Sequence, residues 1–342
     1  MNRKDFLSLS GLGLAGLAMP RVLGAEDAPS ASAPVAPVLT GNGEFVFEAV
    51  HAWGEALPSG EKIGPTHGGI ARDKAGNIYV NTDGPSGTLV YAPDGKFLRA
   101  IAKEFSGIHS IQIVEEKGVE VIYASWLVGN AVLKLNLDGT LIHKLEAPVQ
   151  AGYKNGKAWK PTATVVGPDG SVYVSDGYGT SRIHIFGSDF SYKKSFAGMG
   201  SGDGQCRSSH GMSLDPRGKQ PLLFVCDREN RRLTHYDLDG KFVANRTLHM
   251  RRPCQVSFHG EYVAVSEILG RVTILDKDNV PVAFVGDNKD KSHWDNFGLP
   301  KAKQHDGLFG ATHGIFWDTD GSLYVSEWSK GGRICKLALT KA

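Results

Sequence analysis

Short runs in which apolar and polar residues alternate recur along most of the chain, punctuated by tight turns of the Pro-Asp-Gly or Leu-Asp-Gly kind. A period of two marks a strand with one buried face, and such turns join antiparallel neighbours. No stretch keeps a helical period. The runs group into one repeated phrase: a short strand, a D-x-G turn, an aromatic-rich strand, a polar loop and a third strand. Gly69–Asp73 leads to Asn77–Val80, Thr164–Asp169 to Ser171–Val174, Gly211–Asp215 to Leu223–Val225, and Gly314–Asp318 to Ser322–Val325. Weaker copies occupy Ser110–Tyr123 and Val256–Val265. Six units spaced by roughly 40 to 60 residues are the pattern of propeller blades. The pattern predicts an all-β, six-bladed β-propeller. Its last unit supplies three clear strands, ending at Cys335-Lys336-Leu337, while Phe45–Val50 stands unassigned before the first. That strand is expected to complete the sixth blade and close the ring, leaving little exposed edge.

With 342 residues, 41% of them hydrophobic, the chain has material for one large all-β core, and its 43 glycines suit many turns. The net charge is +2 and the basic residues are scattered, so no nucleic-acid surface or acidic partner is predicted. The expected partner is a small-molecule or peptide-like substrate, and oligomeric state is not legible. At the start, Asn2-Arg3-Lys4-Asp5-Phe6-Leu7 precedes an apolar run from Leu7 to Met19, too short to span a bilayer. Residues 1–25 are therefore expected to be an export signal. It resembles a twin-arginine signal with Lys4 in the place of the second arginine; the Sec route is the alternative. Residues 26–43 are expected to be a flexible linker and 44–342 the propeller, periplasmic or extracellular, with no membrane association beyond the signal. Cys206, Cys226, Cys254 and Cys335 allow three disulfide pairings in an exported protein, and no CxxC occurs.

Aligning the units places His67, His109, Ala163, His210, Gln255 and His313 at the start of the innermost strands, which line a propeller's channel. Four histidines in six axial positions stand out against 12 in the whole chain. His109, His210 and His313 come from alternate blades and should converge with approximate threefold symmetry. Three imidazoles on one divalent ion with a fourth position open is the catalytic zinc pattern. Imidazole also suits copper, iron and nickel. His67 is a candidate fourth ligand, outer partner or acid/base group. One matching position at the far end of each phrase holds Trp126, Asp176, Asp227, Glu267 and Glu327, a set expected to ring the channel entrance and bind substrate amines or move protons. Two long loops, about Ala147–Lys160 and Gly286–Gly310, are expected to act as lids or binding loops; the second contains His293, Trp294 and His305.

Val174-Ser175-Asp176-Gly177-Tyr178-Gly179-Thr180-Ser181-Arg182-Ile183 and Cys226-Asp227-Arg228-Glu229-Asn230-Arg231-Arg232-Leu233, taken with Ile108-His109-Ser110, Ser209-His210-Gly211 and Thr312-His313-Gly314, resemble the lyase domain of peptidylglycine α-amidating enzyme, an NHL-type six-bladed propeller. The run Gly200–Cys206 resembles the NHL repeat phrase. The resemblance covers the repeats from about His67 onward. It implies zinc on His109, His210 and His313, catalysis by Tyr178 with Arg228 beside it, and cleavage of a peptidyl α-hydroxyglycine to a peptide amide and glyoxylate. A tyrosine serves as base only if its pKa falls from about 10, and zinc and Arg228 are expected to lower it. The chain departs from the family at several points. Asn81-Thr82-Asp83-Gly84 stands where the family has a substrate-binding arginine, and Ala311 where it has a methionine. Gly314 replaces a calcium-ligating aspartate, so no calcium ligand is carried over there; Gly179 and Phe224 replace disulfide cysteines. The expectation is a zinc-dependent carbon–nitrogen lyase with altered specificity. A non-catalytic NHL propeller that binds a protein or ligand, and a metal-dependent hydrolase or lactonase, stay open beside it.

Overall fold

Three of the repeated Asp-containing turns, at Asp73, Asp237 and Asp276, are built the same way. At Asp73–Asn77 the carboxylate accepts from the Asn77 N–H at 2.8 Å while Gly76 donates its own N–H back to the Asp73 carbonyl. Gly76 does so at φ +90, where a side chain would be strained. Such turns reverse each strand onto its predecessor, and the result is six small antiparallel sheets. The computed structural model describes residues 36–340 apart from Gly60 and residues 247–249. The expected export signal, and residues 26–35 of the expected linker, lie outside the described residues.

The chain is a six-bladed β-propeller. Its innermost strands are Ile70–Arg72, Ile108–Glu116, Ala163–Val166, Ser209–Asp215, Pro253–His259 and Thr312–Trp317, and each is followed outward by antiparallel partners. These inner strands touch their neighbours all the way round, the last against the first. The core lies between blades: Tyr79 and Val90 of the first pack against Ile111, Ile122 and Leu133 of the second. Closure follows the expectation from sequence, because Phe45–Val50 pairs antiparallel with Arg333–Leu339, Phe47 opposite Leu339 and Val50 opposite Lys336. Phe47 is fully buried among Val325, Leu337 and residues of the fifth blade. One strand was not foreseen. Leu39–Asn42, inside the expected linker, adds a fifth strand to blade six and reaches blade five, where Gly286 donates to Thr40 Oγ1 at 2.7 Å and Phe284 to Asn42 Oδ1 at 2.9 Å.

The carboxylates expected to ring the channel entrance do not. Asp176, Asp227, Glu267 and Glu327 are buried, and each fastens the loop that leads into its own blade. Asp227 accepts from the Arg207 N–H at 2.7 Å and from Arg232 Nε at 2.7 Å. Glu267 accepts from the Arg251 N–H and from Arg271 Nε. Glu327 accepts from the Gly310 and Ala311 N–H groups and from Arg333 Nη1 at 2.7 Å. Asp176 accepts from the Lys160 N–H at 2.6 Å, with Tyr153 and Thr180 in place of the arginine. The physical reason is burial. A carboxylate out of water is stable only with its oxygens saturated, and these spend their acceptors on loop N–H groups and a strand arginine. Trp126 is half-buried, donating to the Ser106 carbonyl and packing on Phe105.

Neither long loop stands free. Trp159 and Tyr153 of the first are buried in the core beside Val172 and Phe186. In the second, Phe309 is buried in the blade-six core, and Trp294 lies under the Arg251 guanidinium at 4.3 Å. All four cysteines are free thiols, so none of the three pairings is present.

Two outcomes follow for stability. Phe47→Ala should cost about 3–5 kcal/mol, read as a fall in the urea midpoint; a loss under about 1 kcal/mol would mean that the ring does not depend on this closure. Glu327→Gln removes the charge partner of buried Arg333 and should cost about 3 kcal/mol while leaving metal content unchanged. Unchanged stability with lost metal or turnover would return Glu327 to the site.

Candidate metal centre

The axial histidines owe their positions to the residues on either side of them. Before three of them comes a hydroxyl that bonds to a neighbouring strand or blade: Thr66 Oγ1 donates to the Glu327 carbonyl and Thr312 Oγ1 to the Glu267 carbonyl, both at 2.6 Å, and Ser209 Oγ accepts from Ser175 Oγ at 2.7 Å. After His67, His210 and His313 comes glycine. A Cβ at Gly211 would lie 2.1 Å from the Cys254 carbonyl oxygen, and one at Gly314 would lie 2.2 Å from that of Gly68. Any side chain would push the blades apart. The same crowding leaves no room for an aspartate at 314, the residue that the resemblance implies there.

Four imidazoles meet at the axis. The ring centres of His109, His210 and His313 are 4.7, 4.8 and 4.9 Å apart, a nearly equilateral triangle. His67 stands 4.7 Å from His109 and 4.9 Å from His313. Its Nδ1 lies 3.3 Å from Asp83, and its ring stacks on Trp328 at 5.2 Å. Asp83 thus places a carboxylate in the segment where the resemblance implies an arginine.

The tautomers can be assigned from the partners. His109 Nδ1 is 2.7 Å from the Thr162 carbonyl and His210 Nδ1 2.8 Å from the Cys254 carbonyl. A carbonyl only accepts, so both Nδ1 atoms carry hydrogen and both Nε2 atoms hold a free electron pair. Burial, before any neighbouring charge, holds His109, His210 and His313 well below the ordinary imidazole range. They are therefore neutral near pH 7. His109 Nε2 and His313 Nε2 are buried with no hydrogen-bond partner. Orphaned buried nitrogens are costly unless something else uses their electron pairs, and a metal ion does. The donor atoms of His67, His109 and His313 lie within 4.8 Å of one another, as do those of His210, Cys254 and His313. The residues present fit a metal.

His210 Nε2 faces the Tyr178 hydroxyl at 2.9 Å, and Arg228 Nη1 donates to the same oxygen at 2.9 Å. Since His210 Nε2 can only accept, the phenol O–H donates a hydrogen bond to the imidazole while its oxygen accepts one from the guanidinium. Burial pushes this phenol up to about 12 against the pull of Arg228. With protein groups alone, desolvation outweighs the cation, so Arg228 by itself does not bring about the expected lowering. Arg228 also donates to Glu229, which pairs with Arg252, which pairs in turn with Asp295 of the long loop at 2.6 Å. Phe297 of that loop packs on Trp328 at 4.9 Å. The loop therefore walls the site through two contacts.

The structure brings His67, His109, His210, His313, Tyr178 and Arg228 together. It does not bring Asp176, Asp227, Glu267, Glu327 or Trp126 to them. Gln255 lines the channel further along the inner strands, in a cavity of about 310 Å³ with Ser110, Gln112 and Ser213. Cys254, Trp328 and the Glu229–Arg252–Asp295 chain were not foreseen. The one available signal was that Cys254 directly precedes an axial position.

No family model matches the chain. It is 28% identical over 205 residues to "Peptidyl-glycine alpha-amidating monooxygenase" of Mus musculus, a match covering 57% of this chain and 20% of that protein. The matched part thus spans about a fifth of the curated relative's length. Among solved structures, a gluconolactonase from Xanthomonas campestris gives a TM-score of 0.59 at 15% identity, covering 90% of this chain and 99% of that one. A streptogramin B lyase gives 0.57 at 14% identity, covering 88% and 98%. At such identities the structural likeness is one of fold. The chain is a six-bladed β-propeller with distant sequence similarity to peptidyl-glycine alpha-amidating monooxygenase.

Proposed function

We propose that this protein is an exported, metal-dependent propeller enzyme that cleaves a small hydroxylated or peptide-like substrate, in the manner of a peptidyl-α-hydroxyglycine lyase using zinc. One observation carries the reading. Three neutral, buried imidazoles converge, those of His109 and His313 with an unpartnered Nε2, beside a tyrosine bonded to both an arginine and the third, His210.

The reaction moves little matter. The bond between the α-carbon and the amide nitrogen breaks, the hydroxyl becomes a carbonyl, and a proton passes from oxygen to nitrogen. Tyr178 is the group placed to carry that proton, since its hydroxyl is already bonded on both sides within the pocket. Arg228 donates to the phenol oxygen and so favours the ionised form during transfer. His109, His210 and His313 would hold the ion, which supplies Lewis acidity at the substrate hydroxyl. Asp83 beside His67 disfavours a second anionic group on that side of the substrate. A substrate with a neutral or amine-bearing end therefore suits this pocket better than a dicarboxylate.

The test is metal content and turnover of the full chain, for the natural protein, His210→Ala and Tyr178→Phe. We expect about one zinc per chain, lost in His210→Ala. Tyr178→Phe should keep its metal and lose about 10²–10⁴-fold in kcat on a peptidyl α-hydroxyglycine. Metal without such turnover, together with lactone opening that survives Tyr178→Phe, would move the chemistry to hydrolysis. Neither metal nor turnover would leave a binding propeller.

A further inference from the structure

The Cys254 thiol stands apart from the other three. Cys206 faces the Tyr236 hydroxyl at 3.3 Å, Cys226 lies in the apolar cluster of Phe224, Leu233 and Val263, and Cys335 packs at the edge of the blade-six core. Among the described residues, Cys254 is the cysteine whose sulfur falls within 4.8 Å of imidazole donor atoms, those of His210 and His313. It is fully buried, with Ile268 and Ala311 on its apolar side. Its thiol makes a weak, long contact with the Arg252 carbonyl at 3.7 Å. The guanidinium of Arg228 also acts on it, opposing the effect of burial. His313, which shares the cluster, is 3% exposed and has an Nε2 with no partner.

We propose that Cys254 is a metal ligand, which makes the axial centre a mixed nitrogen–sulfur site for a thiophilic divalent ion rather than an all-imidazole one. The inference rests on the reading above that the imidazoles hold an ion, and adds to it the sulfur donor and the class of ion.

Cys254 is tied to the centre twice, because its carbonyl already fixes the His210 tautomer while its side chain flanks the same ring. Coordination exchanges the thiol proton, released to solvent, for a sulfur–metal bond; no oxidant or reductant is needed. The thiolate so formed has a cation beside it in Arg228, the setting that stabilises sulfur anions. His210 must release Tyr178 to offer Nε2, and the phenol keeps Arg228 as its partner when it does. Sulfur and imidazole together select zinc or cobalt over magnesium, calcium or manganese.

Cobalt(II) titrated into the metal-free full chain decides the matter, with absorbance as the readout. Thiolate ligation gives an intense sulfur-to-cobalt charge-transfer band in the near ultraviolet, whereas nitrogen ligands alone give only weak visible bands. We expect the charge-transfer band in the natural protein and in Cys226→Ser. Cys254→Ser should lose it and bind cobalt about tenfold or more weakly, while keeping the visible bands. Should Cys254→Ser fail to fold, the natural protein's own spectrum still decides. Cobalt bound without the charge-transfer band overturns the sulfur ligand and leaves the histidine centre standing. A band that persists in Cys254→Ser also overturns it. No cobalt binding at all overturns this inference and the metal-dependent function together.

Discussion

The hydrogen bond from an axial imidazole to a carbonyl at the edge of the adjoining blade is the interaction on which the centre depends. His109 reaches Thr162 and His210 reaches Cys254, and each bond does three things at once. It saturates a buried N–H, it fixes which ring nitrogen is bare, and it requires two blades to approach closely at the axis. The close approach explains the His-Gly pairs, since Gly211 and Gly314 sit where a single extra carbon would meet backbone oxygen. A propeller without these contacts would still be a propeller. Its histidines would turn freely, and their nitrogens would find water or each other.

The loop carboxylates are the second tier of the same design. Blades three to six each end the second strand in a carboxylate that seizes the incoming loop, and in blades four to six an arginine at the head of the third strand completes the grip. Because the incoming loops also accept from the backbone N–H groups of Tyr178 and Arg228, at the Lys160 and Ser208 carbonyls, holding those loops still is part of holding the chemistry in register. The carboxylates act at one remove and never face the channel.

Much of this was legible in the sequence. Six copies of one phrase fixed the fold, and the stray strand Phe45–Val50 announced its own partner because the last copy was one strand short. The axial histidines were visible because repeats can be aligned, so that a position rather than a residue could be asked what it holds. The carboxylates misled for the same reason. Alignment showed that their position recurs, but a recurring acidic residue looks alike whether it binds a substrate or a backbone. The arginine that follows four to six residues later in Asp227–Arg232, Glu267–Arg271 and Glu327–Arg333 was the clue to the second case. Leu39–Asn42 was missed because four residues with two polar side chains carry no alternation. Tyr178 does lie beside His210 and Arg228, but desolvation of its hydroxyl depends on burial that only the assembled pocket reveals.

The joint in blade six sets an order of events during synthesis. Phe45–Val50 is among the first segments of the propeller to leave the ribosome, while its partner Arg333–Leu339 is nearly the last. For most of translation the first-made strand has no place to go, and its apolar residues wait unsheltered. Five blades can form as they emerge, each from consecutive chain. The sixth closes only when both ends exist, so the axis, which needs His313 from that blade, is completed at the final moment. A stalled or shortened chain would therefore hold nearly all the secondary structure and none of the centre.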